Sequence, residues 1–199
     1  MRDIVDIKNE FINIYNTYIK RDGAKELLDY LVKSDFFSAP ASTQFHSNFE
    51  GGLADHSINV YHRFLNAIKN EYGENYNERI SDESIAICGL LHDVCKIDIY
   101  KIEMRNKKID GNWIQVPHYI IEDSLPYGHG EKSVYIISGF MKLIREEAMI
   151  INWHMGAFDP RVKGGSYSVS DAFYKFPTAV LFHTSDMIST YLDETRMSN

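Results

Sequence analysis

The stretch ICGLLHDVCK, residues 87–96, decides how this chain is read. Ile85, Cys88, Leu91 and His92 share one face of a helix that Ser81, Asp82 and Glu83 are placed to start, and the spacing predicts that it runs to near Lys96. An aspartate at the end of so apolar a helix poses a solvation problem. Burying Asp93 without a partner costs on the order of several kcal/mol, and a cation beside the His92–Asp93 pair removes that cost.

Two further polar groups share the predicament. His56 falls on the helical stripe Leu53, His56, Ser57, Val60, Tyr61, Phe64, Leu65 and Ile68, and Asp186 sits among apolar neighbours in VLFHTSDMIST, residues 180–190. A single histidine on an apolar face is usually a satisfied core residue. Four such groups on three helices instead predict convergence on one site, as metal sites are built inside helical bundles.

Outside these helices the pattern is mostly α. Ile4, Ile7, Phe11, Ile14, Tyr15 and Tyr18 recur at helical spacing, and Leu27, Leu28 and Leu31 continue after the Asp22–Gly23 break, so residues 1–40 read as packing helices. Residues 38–52 are rich in small and turn residues. From Ile97 to Glu122 partial alternation around Asp110–Gly111 predicts a β-hairpin or an irregular flap, the one expected sheet. Helical periodicity returns over Glu131–Leu143 and Arg145–Trp153, a Gly-rich loop with Pro160 spans residues 156–166, and a last helix with Pro177 in its first turn reaches about Glu194.

With 199 residues, 44% of them hydrophobic, the chain can bury one substantial core, and no linker or repeat divides it, so a single domain is expected. Only 12 glycines and 5 prolines argue against an all-β chain of many tight turns. The net charge of -7 opposes binding to duplex nucleic acid, while leaving a small phosphorylated molecule as a partner if a local positive site exists. Cys88 and Cys95, seven apart, form no CxxC pair and read as reduced thiols. The N-terminal residues have charges scattered among apolar positions and resemble neither signal peptide nor membrane span, so a soluble cytoplasmic protein with no membrane partner is expected.

The order His56, His92–Asp93, Asp186 resembles the signature of the HD-domain superfamily. EGGLADHSINV (50–60) is similar to its first-histidine helix, LLHDVCKI (90–97) to its HD helix with the following lysine, Lys96, and HTSDMIS (183–189) to its last-aspartate helix. The resemblance covers residues 45–194 and implies an HD-type helical bundle. His129, opening GHGEKSVYII, and His154, closing IINWHMG, extend the order to that of the subgroups holding two metals. That likeness implies one ion on His56, His92 and Asp186, a second on His129 and His154, and Asp93 bridging them. The plainer alternative is that His129 and His154 only cap helix ends. His46, His62, His118 and His183 read as ordinary structural histidines, His183 being the best substitute ligand.

A nitrogen and carboxylate ligand set suits one or two divalent ions, with iron, manganese, zinc, cobalt and nickel all admissible. The resemblance implies a metal-dependent phosphohydrolase that cleaves a phosphoester of a nucleotide or similar small substrate with a metal-activated water. Asp93 and Lys96 would take part in the chemistry, and Lys96, Lys132 and Arg161 in substrate binding, with Lys163 as a further cation. Phe45, Phe49, Tyr127, Trp153 and Phe158 are candidate stacking groups for a base. Two other outcomes stay open: a di-iron oxygenase related to myo-inositol oxygenase, and a regulatory nucleotide-binding module without turnover.

Overall fold

The computed structural model describes residues 2–43 and 47–194; Phe45 and His46 lie outside them. Among the described residues it is mostly helical, with one antiparallel hairpin. The helices are α1 (Ile4–Tyr18), α2 (Ala24–Lys33), α3 (Gly52–Tyr72), α4 (Asp82–Leu91), α5 (His129–Ser138), α6 (Arg145–Asn152), α7 (Pro160–Lys163), α8 (Ser168–Lys175) and α9 (Thr178–Ile188); the strands are β1 (Tyr100–Ile109) and β2 (Asn112–Ile121). None of these helices is long and apolar enough to cross a membrane.

The amphipathic stripes account for the packing. In α1, Ile7, Phe11, Ile14 and Tyr15 are buried below an Asp3 cap whose carboxylate accepts from the Val5 amide. Phe11 meets Phe36 and Phe37 edge-on. One apolar cluster joins these residues to Leu27 and Leu31 of α2, Val60 and Phe64 of α3, Leu90 and Leu91 of α4, and Phe182 of α9, so the N-terminal helices share the core that carries the histidine helices. At its centre α3 packs on α4 and α9, and α6 packs on α4, α5 and α9. Gly89 permits the α3–α4 approach, since a Cβ there would stand 2.6 Å from the Tyr61 Cα.

A buried carboxylate ties the periphery to this core. Glu147 of α6 is wholly buried and takes two bonds of 2.8 Å from the Arg21 guanidinium, one of 2.7 Å from Ser84 Oγ and one of 2.9 Å from the Ile144 amide. The turn before α2, the start of α4 and the start of α6 thus meet on one side chain.

The hairpin has the predicted turn. Asp110 and Gly111 both have positive φ, 49° and 86°, giving a two-residue type I′ loop, and the ladder runs from Tyr100↔Ile121 to Ile109↔Asn112. It stands out from the body, with Ile102, Met104 and Trp113 exposed. Lysines along β1 and Pro117 in β2 guard its edges against further strand pairing.

Two helix ends differ from expectation, and two short helices were not expected. The helix expected to reach Lys96 stops at Leu91, because Asp93 leaves helical geometry (φ -107°, ψ 15°) and residues 94–96 tighten into a 3-10 turn. The one expected to reach Leu143 stops at Ser138, followed by Gly139. Residues 160–163 and 168–175, read as loop or left unassigned, are helical; α7 is a single turn, and the short α8 buries Ala172 and packs Phe173 against the core.

Candidate metal centre

The early end of α4 positions the site. It turns His92 and Asp93 off the helix axis into the space between α3, α5, α6 and α9, where His56, His129, His154 and Asp186 also point. His56 Nε2 lies 3.3 Å from His92 Nε2, 3.3 Å from Asp186 Oδ1 and 3.6 Å from Asp93 Oδ2. On the other side of Asp93, its Oδ1 is 2.8 Å from His129 Nε2 and 3.4 Å from His154 Nε2. All six predicted ligands therefore come together, and Lys96 Nζ joins them 2.7 Å from Asp93 Oδ2 while also donating to the Ala41 carbonyl.

Hydrogen bonds on the far side of the rings fix which nitrogens are available. His92 Nδ1 faces the Gly89 carbonyl at 3.0 Å, and His154 Nδ1 the Ile151 carbonyl at 2.6 Å. A carbonyl only accepts, so each Nδ1 carries a proton and Nε2 of the neutral ring presents a lone pair to the centre. His56 Nδ1 donates to the Glu194 carboxylate at 2.7 Å in the same manner. His154 Nε2 is buried with no hydrogen-bond partner. Such an orphan, and the meeting of two imidazole Nε2 atoms at 3.3 Å, fit a cation between them. Three sets of donor atoms lie close enough to hold one: His56, His92 and Asp186; His92, Asp93 and His154; and Asp93, Cys95 and His129.

The charges agree with this. Burial alone would neutralise Asp93, but Lys96 and the surrounding imidazoles hold its carboxyl well below the usual range. Asp186 is likewise held low against burial, chiefly by His56. Burial pushes His92 down to about 3, so it stays neutral. Burial disfavours charge on His56 and His129 too, yet Glu194 and Asp186 around the first, and Cys95 and Asp93 around the second, raise each to about 10.

That shift sets a pH dependence. Without an ion, His56 and His129 each hold at neutral pH a proton that a metal must displace. Metal affinity is expected to rise from neutral pH towards about 10, by up to about tenfold per pH unit for each proton released. Chelator-competition titrations across that range test it, and a flat profile contradicts it.

Comparison with family models, with curated proteins and with solved structures finds no match.

A cavity of about 630 Å³ opens onto the cluster. Its wall includes Asp93, Lys96, His129 and His154, with Tyr100 and Ile121 from the hairpin base, and Phe158, Lys163 and Tyr191 from elsewhere. Two expected substrate contacts are not brought there. Lys132 is buried against Asp123 at 2.6 Å. Arg161 is held by Asp159 and Glu131, both at 2.7 Å, and lies over the Trp153 ring. Of the candidate stacking groups Phe158 lines the cavity, whereas Tyr127 stacks on Tyr135 and Trp153 is buried under Arg161. His183 donates its Nδ1 proton to the His154 carbonyl at 2.6 Å and so supports a ligand helix end.

Glu194 escaped the sequence reading. Its side chain is only 1% exposed and also accepts from Ser47 Oγ (2.8 Å) and Ser189 Oγ (2.7 Å), beyond a π-helical turn over Ser189–Asp193 that shifts the phase of the last helix. Glu194→Ala is expected to lower metal affinity by about 10- to 100-fold, the usual loss when a histidine ligand loses its orienting carboxylate. Chelator competition measures this; an unchanged affinity would show that His56 needs no such support.

Proposed function

We propose that this chain is a metal-dependent phosphohydrolase built on an HD-type helical bundle, acting on a nucleotide or similar small phosphorylated substrate. The observation that carries the reading is the convergence of four imidazoles and two carboxylates at one cavity, with His56, Asp93, His129, His154 and Asp186 in its wall and His92 buried against His56, three of the imidazoles oriented by a hydrogen bond at Nδ1. His56, His92 and Asp186 would hold one ion, and His129 and His154 a second, with Asp93 shared between them.

When bound, divalent ions at these positions supply a water acidified for attack and relief of charge on phosphoryl oxygens. The chain contributes the rest. Lys96 stays protonated, since Asp93 outweighs the effect of burial and holds its ammonium above the ordinary range. It thereby offers a fixed positive charge to a phosphate in an otherwise acidic protein. Lys163 adds a second cation on the cavity wall, and Phe158 an apolar face beside it.

The test is metal analysis of protein purified without chelator, followed by phosphate-release assays on a panel of nucleotides. Turnover that vanishes on chelation and returns with added metal is expected. Iron with oxygen uptake and no phosphate release would put an oxygenase in its place, and tight nucleotide binding without turnover a regulatory module.

A further inference from the structure

The hairpin reaches the cavity only through Tyr100 and Ile121 at its base. Its two strands of ten residues make an arm about 34 Å long, and neither strand packs broadly on a helix among the described residues. A two-stranded hairpin alone in water is only marginally stable, so an arm of this length calls for a surface that covers it. Cross-strand partners share a face, and successive pairs alternate between the two faces. Exposed Ile102 and Met104 therefore stand on one face with Trp113, itself 70% exposed, and with Lys108 opposite Trp113 near the tip. The lysines of β1 and Pro117 guard the edges, which leaves this face for docking.

A surface of matching chemistry lies on the same chain. Tyr167, Asp171 and Tyr174, at the start and along the length of α8, are four and three residues apart and so share the helix face turned away from Ala172 and Phe173. The two tyrosines are 85% and 86% exposed, and Asp171 between them is exposed as well. This stripe runs for about 10 Å, close to the roughly 13 Å from Met104 to Lys108 along β1. Aromatic residues and methionine are the side chains that interface cores favour. The charges match too. In the arm Lys101, Arg105, Lys107 and Lys108 outnumber Glu103 and Asp110, whereas the whole chain carries a net charge of -7, so a basic arm stands on an acidic body. An anionic membrane or a nucleic acid would meet the same cations, but either would repel that body and leave the α8 tyrosines bare.

We propose that two copies of this chain exchange arms, the apolar face of each hairpin lying on the outer face of α8 in the other copy, with Lys108 beside Asp171. Because the contact is reciprocal, one two-fold axis closes it and no filament grows. One arm face measures about 34 by 10 Å, and a copy that gives one arm and receives another engages about 700 Å². That is a little under the roughly 800 Å² per partner of a standard interface and suits micromolar binding. No metal takes part, and the exchange stands independently of the reading of the cluster.

Sedimentation of the full chain at about 1 to 100 μM tests this, and a species of twice the 23.0 kDa of one chain is expected at the upper end. Asp171→Lys and Lys108→Glu, both at exposed positions, are each expected to raise the dimer Kd about tenfold or more, and the two together to restore it to within a few fold. Trp113 reports the contact directly. Its emission is expected to shift to the blue as the dimer forms, since Trp153 is already buried, and the shift is lost in Trp113→Phe. A chain that stays monomeric at about 100 μM overturns the exchange, as does a dimer that both charge reversals leave unchanged. A double variant no tighter than either single one overturns the placement on α8. A monomer that pellets with anionic vesicles, or is retained by a single-stranded oligonucleotide, through Lys108 and Trp113 gives the arm another partner and overturns the exchange as well.

Discussion

Asp93→Ala is expected to remove bound metal and to lower the proposed phosphoester turnover by about three orders of magnitude or more, because this carboxylate reaches both halves of the centre, with one oxygen towards His56 and the other towards His129 and His154. The same change has a structural consequence. Lys96 Nζ, 2.7 Å from Asp93 Oδ2, would keep only the Ala41 carbonyl as a partner inside a nearly buried site. Removing one member of a buried ion pair costs about 3 to 5 kcal/mol, so the variant should keep its helical circular dichroism but melt earlier. Asp93→Asn keeps the volume and isolates the loss of charge. An Asp93→Ala protein with full metal content and full turnover would refute the bridging role.

The largest effect on stability away from the centre is expected at Glu147. Glu147→Ala strips Arg21 of a two-bonded partner and leaves Ser84 Oγ and the Ile144 amide without their acceptor. Arg21 retains Glu83 at 3.2 Å and the Lys142 carbonyl, which places the loss near the lower end of the range for broken buried pairs, at about 3 kcal/mol. For a chain of this length that corresponds to a fall in Tm of roughly 6 to 12 °C. Glu83→Ala, at a far more exposed carboxylate on the same guanidinium, should cost about 1 kcal/mol or less. Thermal melts of the two variants test the contrast, and equal shifts would contradict it.

Much of this was legible because burial forces chemistry on a sequence. His92–Asp93 on an apolar helix, His56 on an apolar stripe and Asp186 among apolar neighbours each announce a polar group with no water, and the structure brings them together. The hairpin was readable from Asp110–Gly111, since few dipeptides accept positive φ twice. What could not be read depends on phase and competition. The π turn after α9 decides that Glu194 reaches His56, and no propensity marks such a turn. Lys132 and Arg161 stand close in sequence to ligand motifs, but long cations take the nearest carboxylates, here Asp123, Asp159 and Glu131.

The central claim is that these side chains hold ions, and anomalous scattering from crystals of the full chain loaded with a divalent transition metal tests it most directly. The account predicts two peaks about 3.5 to 4 Å apart, one among His56, His92 and Asp186, the other against Asp93, His129 and His154. A single peak at the first position would reduce the centre to one metal. Loaded crystals with no peak inside the cluster, whatever they bind elsewhere, would contradict the account.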